Sequence, residues 1–275
     1  MSDAKNMDLD KSREIALKAA KEAANFIASR VGQIRQIDYK SAYNIVTDVD
    51  KGSEAIIIEI IRGAFPNDTI LAEEGGGQAD VAQSVKFAPC RRWLIDPLDG
   101  TTNFTHAYPF FAVSIGLEID GQMQIAVVLN PTNNELFFAQ RGSGAFLNDE
   151  PIKVSTIDDL AASLLATGFP ADTATSKHRN MEPFTHITNF SHGVRRDGSA
   201  ALDLCFVACG RLDGFWEMKL APWDVAAGSL ILTEAGGQVS NLENGELDFE
   251  SGHILATNKL IHDQVVAALK VSRSL

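Results

Sequence analysis

The chain has 275 residues, 45% of them hydrophobic and 22% charged, the balance of a globular protein with a sizeable buried core. With 24 basic and 36 acidic residues the formal charge is -12, and a surface of that sign repels nucleic-acid phosphates, which argues against a general nucleic-acid binder. No apolar run reaches the roughly 18 residues that span a bilayer, the polar start MSDAKNMDLDKSREIA lacks the apolar centre of a secretion signal, and Cys90, Cys205 and Cys209 are too few for a disulfide framework. These features predict a reducing, cytoplasmic setting without membrane attachment.

In chain order, Ile15, Ala19, Ala23, Phe26 and Ile27 recur at helical spacing and predict a helix over 10–31. Ile56, Ile57, Ile60 and Ile61 predict a second over 51–64. The stretch between, GQIRQIDYKSAYNIVTDVD, has little periodicity and reads as a loop or a bent hairpin. ILA before Glu73-Glu74 reads as a strand end. From residue 91 the period becomes strand-like: RRWLID, then FFAVSIGLEI and QMQIAVVLN joined by Asp120-Gly121, a strong two-residue hairpin turn, then ELFFAQ. Such a run predicts an antiparallel meander with the first two helices packed on it.

After about residue 150 the pattern alternates. ASLLATGF, GVRR, LDGFWEM and HILAT read as strands. Between and after them HRNMEPFTHITNF, SAALDLCFVACG (Ser199 as N-cap), DVAAGSLILTEAGG and NKLIHDQVVAALK read as helices. The expected organisation is an α+β half over 1–150 and an α/β half over 151–275, joined through KVSTIDDL. Cys205 and Cys209, four apart on one predicted helix with no further ligand nearby, read as two buried thiols rather than a zinc site.

The chemistry concentrates where apolar segments end in acids. In WLIDPLDGTTNF, Pro97 pushes Asp96 toward an extended conformation and Gly100 permits a sharp turn. The Asp96 and Asp99 carboxylates and the Leu98 carbonyl can then converge on one point, oxygen donors of the kind Mg2+ takes. The same pattern also suits an Asx-type turn after a strand. Thr101 and Thr102 add hydroxyls and backbone amides suited to an anion, so cations on one side and donors on the other suit a phosphate. Glu73-Glu74 leads into three glycines and, taken alone, reads as a solvated loop. Asp50 and Asp224 each directly precede a predicted helix, where N-capping is the ordinary role. Four such transitions in one chain, if their tips meet, make a carboxylate pocket that needs cations to offset self-repulsion.

WLIDPLDGTTNF together with PWDVAAGSLILTEAGG resembles the two signature motifs of the inositol monophosphatase family, and the likeness extends over nearly the whole chain. The resemblance implies a layered αβαβα sandwich of the inositol monophosphatase and fructose-1,6-bisphosphatase type. It also implies a homodimer, two or three Mg2+ per site, and lithium sensitivity. It implies that Glu73 and Asp96 bind metal, that Leu98 donates its carbonyl, and that Asp99 and Asp224 complete the ligand set. Asp50 falls beside the metal cluster, and Thr101 with Glu73 orients the attacking water. Gly100, Thr101 and Thr102 hold the phosphate, while Asp99, Gly198, Ala200, Glu217 and Asp224 face the substrate alcohol. Most metal and phosphate ligands then fall in 1–150, and Asp224 with the substrate-side residues in 151–275.

Gly75, where many relatives have serine, Ala221-Pro222, where animal relatives have a His-Cys pair, and Asp197 before Gly198 depart from the pattern without touching the metal ligands. The activity implied is Mg2+-dependent hydrolysis of myo-inositol monophosphate by an activated water, with a small-molecule phosphate as the substrate and no direct nucleic-acid partner. The alternatives are the same chemistry on fructose 1,6-bisphosphate, 3′-phosphoadenosine 5′-phosphate, histidinol phosphate or NADP, and a non-catalytic role as a partner of the transcription machinery.

Overall fold

The computed structural model describes residues 2–33, 37–39, 45–75, 90–170, 172–173 and 180–272. Its first half comprises α1 (Ser2–Ala28), β1 (Ile37–Tyr39), β2 (Ile45–Thr47), α2 (Asp48–Ala64), β3 (Thr69–Ala72), β4 (Arg91–Asp99), α3 (Thr101–Thr105), β5 (Ala112–Ile119), β6 (Gln122–Asn130), β7 (Glu135–Gln140), β8 (Ala145–Leu147) and β9 (Glu150–Pro151). The second comprises β10 (Leu164–Thr167), α4 (Met181–Thr188), β11 (Gly193–Arg195), α5 (Ala200–Ala208), β12 (Gly214–Glu217), α6 (Pro222–Glu234), β13 (Gln238–Ser240), β14 (Ile254–Thr257) and α7 (His262–Ser272).

The expected meander is present. Strands β3 to β9 lie side by side in chain order, antiparallel throughout except for the parallel β3–β4 pair. The Asp120-Gly121 turn carries positive φ at both residues, +52° and +77°, the primed geometry that matches strand twist. A second sheet has the order β11-β10-β12-β14-β13, parallel across its first three strands and antiparallel across its last two pairings. The described part of the stretch between α1 and α2 forms the antiparallel pair β1–β2; residues 34–36 and 40–44 of that predicted loop or hairpin lie outside the described residues.

Three apolar cores separate five layers. One joins α1 and α2 to one face of the long sheet, the second joins its other face to α5 and α6, and the third lies between the short sheet and α4 with α7. In β4 this alternation is visible residue by residue: Trp93 and Ile95 face the α1–α2 side, Leu94 the α5–α6 side. The middle helices read as apolar nearly all round because both of their faces are covered, and every residue from Val225 to Leu232 is buried. Gly228 allows the α5–α6 crossing, since a Cβ there would lie 2.6 Å from Leu204 Cβ.

Two faces differ from their predicted stripes. On α1 the buried seam is Ala16, Ala19, Ala20, Ala23, Ala24 and Ile27, while Ile15 and Phe26 are only half-buried. Alanines bring the helix backbone close to its neighbours, and Phe26 lies over Gly52 of α2. On α2, Ile57, Ile58 and Ile61 are buried and Ile56 and Ile60 flank them. Among the described residues no helix is long and apolar enough to cross a membrane.

Candidate active site

The layers bring the ends of β3, β4, β10 and β12 and the starts of α3, α5 and α6 to one edge, where they line a cleft of about 210 Å³. The long sheet contributes Glu73, just past β3, and Asp96, Leu98 and Asp99 from β4. The turn into α3 adds Gly100, Thr101 and Thr102. From the second half come Gly198 and Ala200 at the start of α5, Glu217 at the end of β12 and Asp224 in α6. Of the residues to which the resemblance gives a role, Asp50 alone does not line the cleft; it is fully buried behind Thr101, whose hydroxyl donates to Asp50 Oδ1 at 2.7 Å. Asp197 is half-buried and does not line it either.

Local chemistry explains the shape of the β4 terminus. Pro97 has no N–H to give to a ladder, and the pairing with β5 shifts there: Asp96 stands opposite Ser114 but Asp99 opposite Ala112, a bulge of one residue. The Asp96 carboxylate accepts the Leu98 N–H at 2.9 Å, and Ser53 of α2 donates to the Pro97 carbonyl at 2.8 Å, so the bulge is held from both sides. Gly100 adopts φ +98°, and a Cβ there would lie 3.0 Å from the Phe110 carbonyl. The chain thus reverses into α3, whose first amides have no intrahelical acceptor and open on the cleft edge. Asn103 ties this turn to the second half by donating to the carbonyls of Phe110 and Asp197, both at 2.7 Å.

Asp50 and Asp224 do not precede their helices, as the sequence suggested; each is the third residue of its helix. Thr47 caps α2, and Asp50 reaches back to accept the Thr47 N–H at 2.7 Å and the Thr47 hydroxyl at 2.5 Å. Asp224 likewise accepts the Ala221 N–H at 2.7 Å. Proline at the first position of α6 moves the start upstream, because its fixed φ suits a helix opening. Ser199 caps α5 as expected and also donates to Asp99 Oδ2 at 2.7 Å, the oxygen that accepts the Ala201 N–H at 2.7 Å.

The acids are crowded and largely dry. Burial, then the charges of Glu73, Asp99 and Asp224, push Asp96 well above the ordinary carboxyl range. Burial lifts Asp99 to about 6 against the lowering effect of its bonds to Ser199 and Ala201. Burial and then Asp99 lift Asp224 to about 8, and burial and then Asp224 lift Glu217 to about 8. The Asp96 and Asp224 carboxyls also act on each other directly. Among the described residues no three of the acids close into a compact ligand group. Bonds to Ser199 and Ala201 draw Asp99 toward α5, and the bond to the Ala221 N–H draws Asp224 toward the start of α6. The donor set is carboxylate and carbonyl oxygen, without thiol or imidazole among the described lining residues, which fits a hard divalent cation.

Three residues escaped the sequence reading. Gly168 and Arg196 line the cleft. Asp203 is buried in α5 with its Oδ1 lacking a partner, and burial, then Asp197, raises its pKa well above normal. The one sequence signal for Asp203 was a lone acid inside the apolar helix SAALDLCFVACG. Arg196 and Gly168 had none, because only tertiary placement brings them to the cleft.

Comparison with known proteins agrees with this geometry. The family model described as "Inositol monophosphatase family" matches residues 8–274. An inositol-1-monophosphatase of Synechocystis is 48% identical over 263 residues, covering 95% of this chain and 90% of that protein. The Nus factor SuhB of Escherichia coli is 43% identical over 258 residues, covering 93% of this chain and 94% of its own. The structure of an inositol monophosphatase from Anabaena superposes with a TM-score of 0.86 at 44% identity, covering 96% of this chain and 97% of that one.

Proposed function

The chain belongs to the inositol monophosphatase family, phosphatases that act on small phosphate monoesters, and from that premise we propose that the cleft hydrolyses myo-inositol monophosphate with Mg2+ as cofactor. The observation that carries the reading is the convergence of acids from four separated stretches of chain beside Gly100-Thr101-Thr102, with the Thr101 hydroxyl already bonded to a buried carboxylate.

In this reading Glu73, Asp96, Asp99, Asp224 and the Leu98 carbonyl hold the cations. Bound there, Mg2+ supplies neutralising charge and a more acidic water. Phosphate-monoester hydrolysis is among the slowest uncatalysed reactions, so most of the barrier must fall to positioning and charge stabilisation. Amides and hydroxyls of Gly100, Thr101 and Thr102 grip the phosphate oxygens. Thr101 donates its proton to Asp50, which leaves its oxygen lone pairs free to accept from a water. Glu73 and Thr101 then aim that water at phosphorus, and the proton the water loses can pass through the Thr101 hydroxyl to the Asp50 carboxylate. Glu217, Gly198 and Ala200 face the leaving alcohol.

The test is phosphate release from myo-inositol 1-phosphate with Mg2+, compared across sugar, nucleotide and histidinol phosphates by kcat/KM. Retention of most activity by Asp96→Asn sinks the mechanism. A second reading, a non-catalytic role as a Nus factor, is favoured by the 43% identity with a protein of that name. Capture of a transcription-machinery partner that is indifferent to Asp96→Asn supports it, and loss of the partner in that variant refutes it.

A further inference from the structure

Two glycines clear seats for two opposite charges at the cleft. Gly168 follows β10, and a Cβ built there would collide with both carboxylate oxygens of Glu217. Glu217 therefore occupies the space a side chain at 168 would need. The strand ends beneath are fixed by Asn180, which donates to Thr167 Oγ1 and the Gly168 carbonyl at 2.7 Å and accepts from Trp216 Nε1 at 2.8 Å. Gly198 does the same for Arg196: a Cβ there would lie 2.8 Å from Arg196 Nη1, so the guanidinium folds back across the glycine toward the cleft.

Among the described residues that line the cleft, Arg196 is the one cation beside five acids. The nearest described acid in sequence, Asp197, feels the charge of Arg195, and no ion pair among the described residues involves Arg196. Its charge is felt by Glu217 and by the buried Asp203.

We propose that Arg196 is a specificity-determining residue that, with Glu217, reads neighbouring hydroxyls on the leaving alcohol of a polyol monophosphate. A guanidinium only donates, and the Glu217 carboxyl offers an acceptor oxygen in either protonation state, so the two together match one hydroxyl oxygen and one hydroxyl hydrogen of a vicinal diol. The inference rests on the phosphatase reading above and narrows its substrate class.

The experiment measures kcat and KM with Mg2+ for myo-inositol 1-phosphate, fructose 1,6-bisphosphate and phenyl phosphate, whose leaving group has no neighbouring hydroxyls. In Arg196→Met the ratio of kcat/KM for inositol 1-phosphate to that for phenyl phosphate falls about tenfold or more, the loss of one charged hydrogen bond, and chiefly through KM. Arg196→Lys recovers part of the ratio. Gly168→Ala, which evicts Glu217, lowers it in the same direction. An unchanged ratio in Arg196→Met overturns the proposal. A larger loss for the bisphosphate than for inositol 1-phosphate overturns it too, by assigning the guanidinium to a second phosphate. Wild-type hydrolysis of phenyl phosphate without inositol 1-phosphate removes the polyol reading and leaves the phosphatase standing, whereas hydrolysis of none of the three removes both.

Discussion

Asp96→Asn should stabilise the metal-free protein while abolishing its activity. Asp96 is 2% exposed, and besides burial the charges of Glu73, Asp99 and Asp224 all oppose its ionisation. A group whose folded pKa is raised contributes stability below its unfolded pKa, near 4, and loses it as pH rises through the folded value. Above neutral pH, in a chelator, the cluster is therefore a strained part of the fold. Two unit charges a few ångströms apart at an effective dielectric of about 20 repel by about 3–4 kcal/mol, so deleting one charge from a partly protonated cluster recovers about 1–3 kcal/mol. Asparagine keeps an oxygen for the Leu98 N–H. The gain corresponds to about 2–8 °C in Tm for a chain of this size. Mg2+ at about a hundred times its Kd should add about 2.7 kcal/mol to the wild type and distinctly less to the variant, while kcat/KM falls by at least about 10³-fold. Thermal melts at pH 8 in chelator and in Mg2+, beside phosphate release, read all three. An Asp96→Asn protein that melts below wild type in chelator, or that gains as much from Mg2+, refutes the electrostatic account.

Thr101→Val removes the hydroxyl that bonds Asp50 and leaves a buried carboxylate oxygen without that donor; kcat should drop about 10²–10⁴-fold at a stability cost of about 1–2 kcal/mol, and an unchanged kcat contradicts the proposed water geometry. His262 is buried between Ser240 and Thr257, each 2.9 Å from a ring nitrogen, and burial lowers its pKa. Its neutral form belongs to the fold, so the stability it contributes is present above pH 6.5 and is lost as pH falls through the lowered folded value; His262→Gln should flatten part of the Tm decline between pH 6.5 and 5, and an identical decline counts against this. Asp68 accepts from Arg91 Nε at 2.9 Å and Trp93 Nε1 at 2.7 Å, far from the cleft. Asp68→Ala should cost about 3 kcal/mol by denaturant melt, and a cost near zero would show the network to be idle.

Chemistry contained within a few residues was legible in the sequence. The strand into Asp96, the turn at Gly100, the Ser199 cap and the Asp120-Gly121 hairpin each depend on backbone preferences acting over about four residues. The periods of the apolar residues likewise announced a meander followed by alternating strands and helices, and the resemblance of two motifs announced the family. Which face each element buries was less legible: the alanine seam of α1 and the Ile57–Ile58–Ile61 stripe of α2 follow from how closely the layers approach. Asp50 and Asp224 showed the same limit, since an acid before an apolar run looks alike whether it caps the helix or reaches back from its third residue.

What the tertiary structure alone decided is the company each acid keeps. Glu73, Asp96, Glu217 and Asp224 are spread over about 150 residues of chain, and local preference cannot act over that distance. They meet because strands end and helices begin at one edge of a layered sandwich. The raised carboxyl pKa values, the bond from Thr101 to Asp50, and the seats that Gly168 and Gly198 leave for Glu217 and Arg196 all arise from that packing. Sequence supplied the reacting groups; burial against distant parts of the chain set their charge, their spacing and the shape of the space between them.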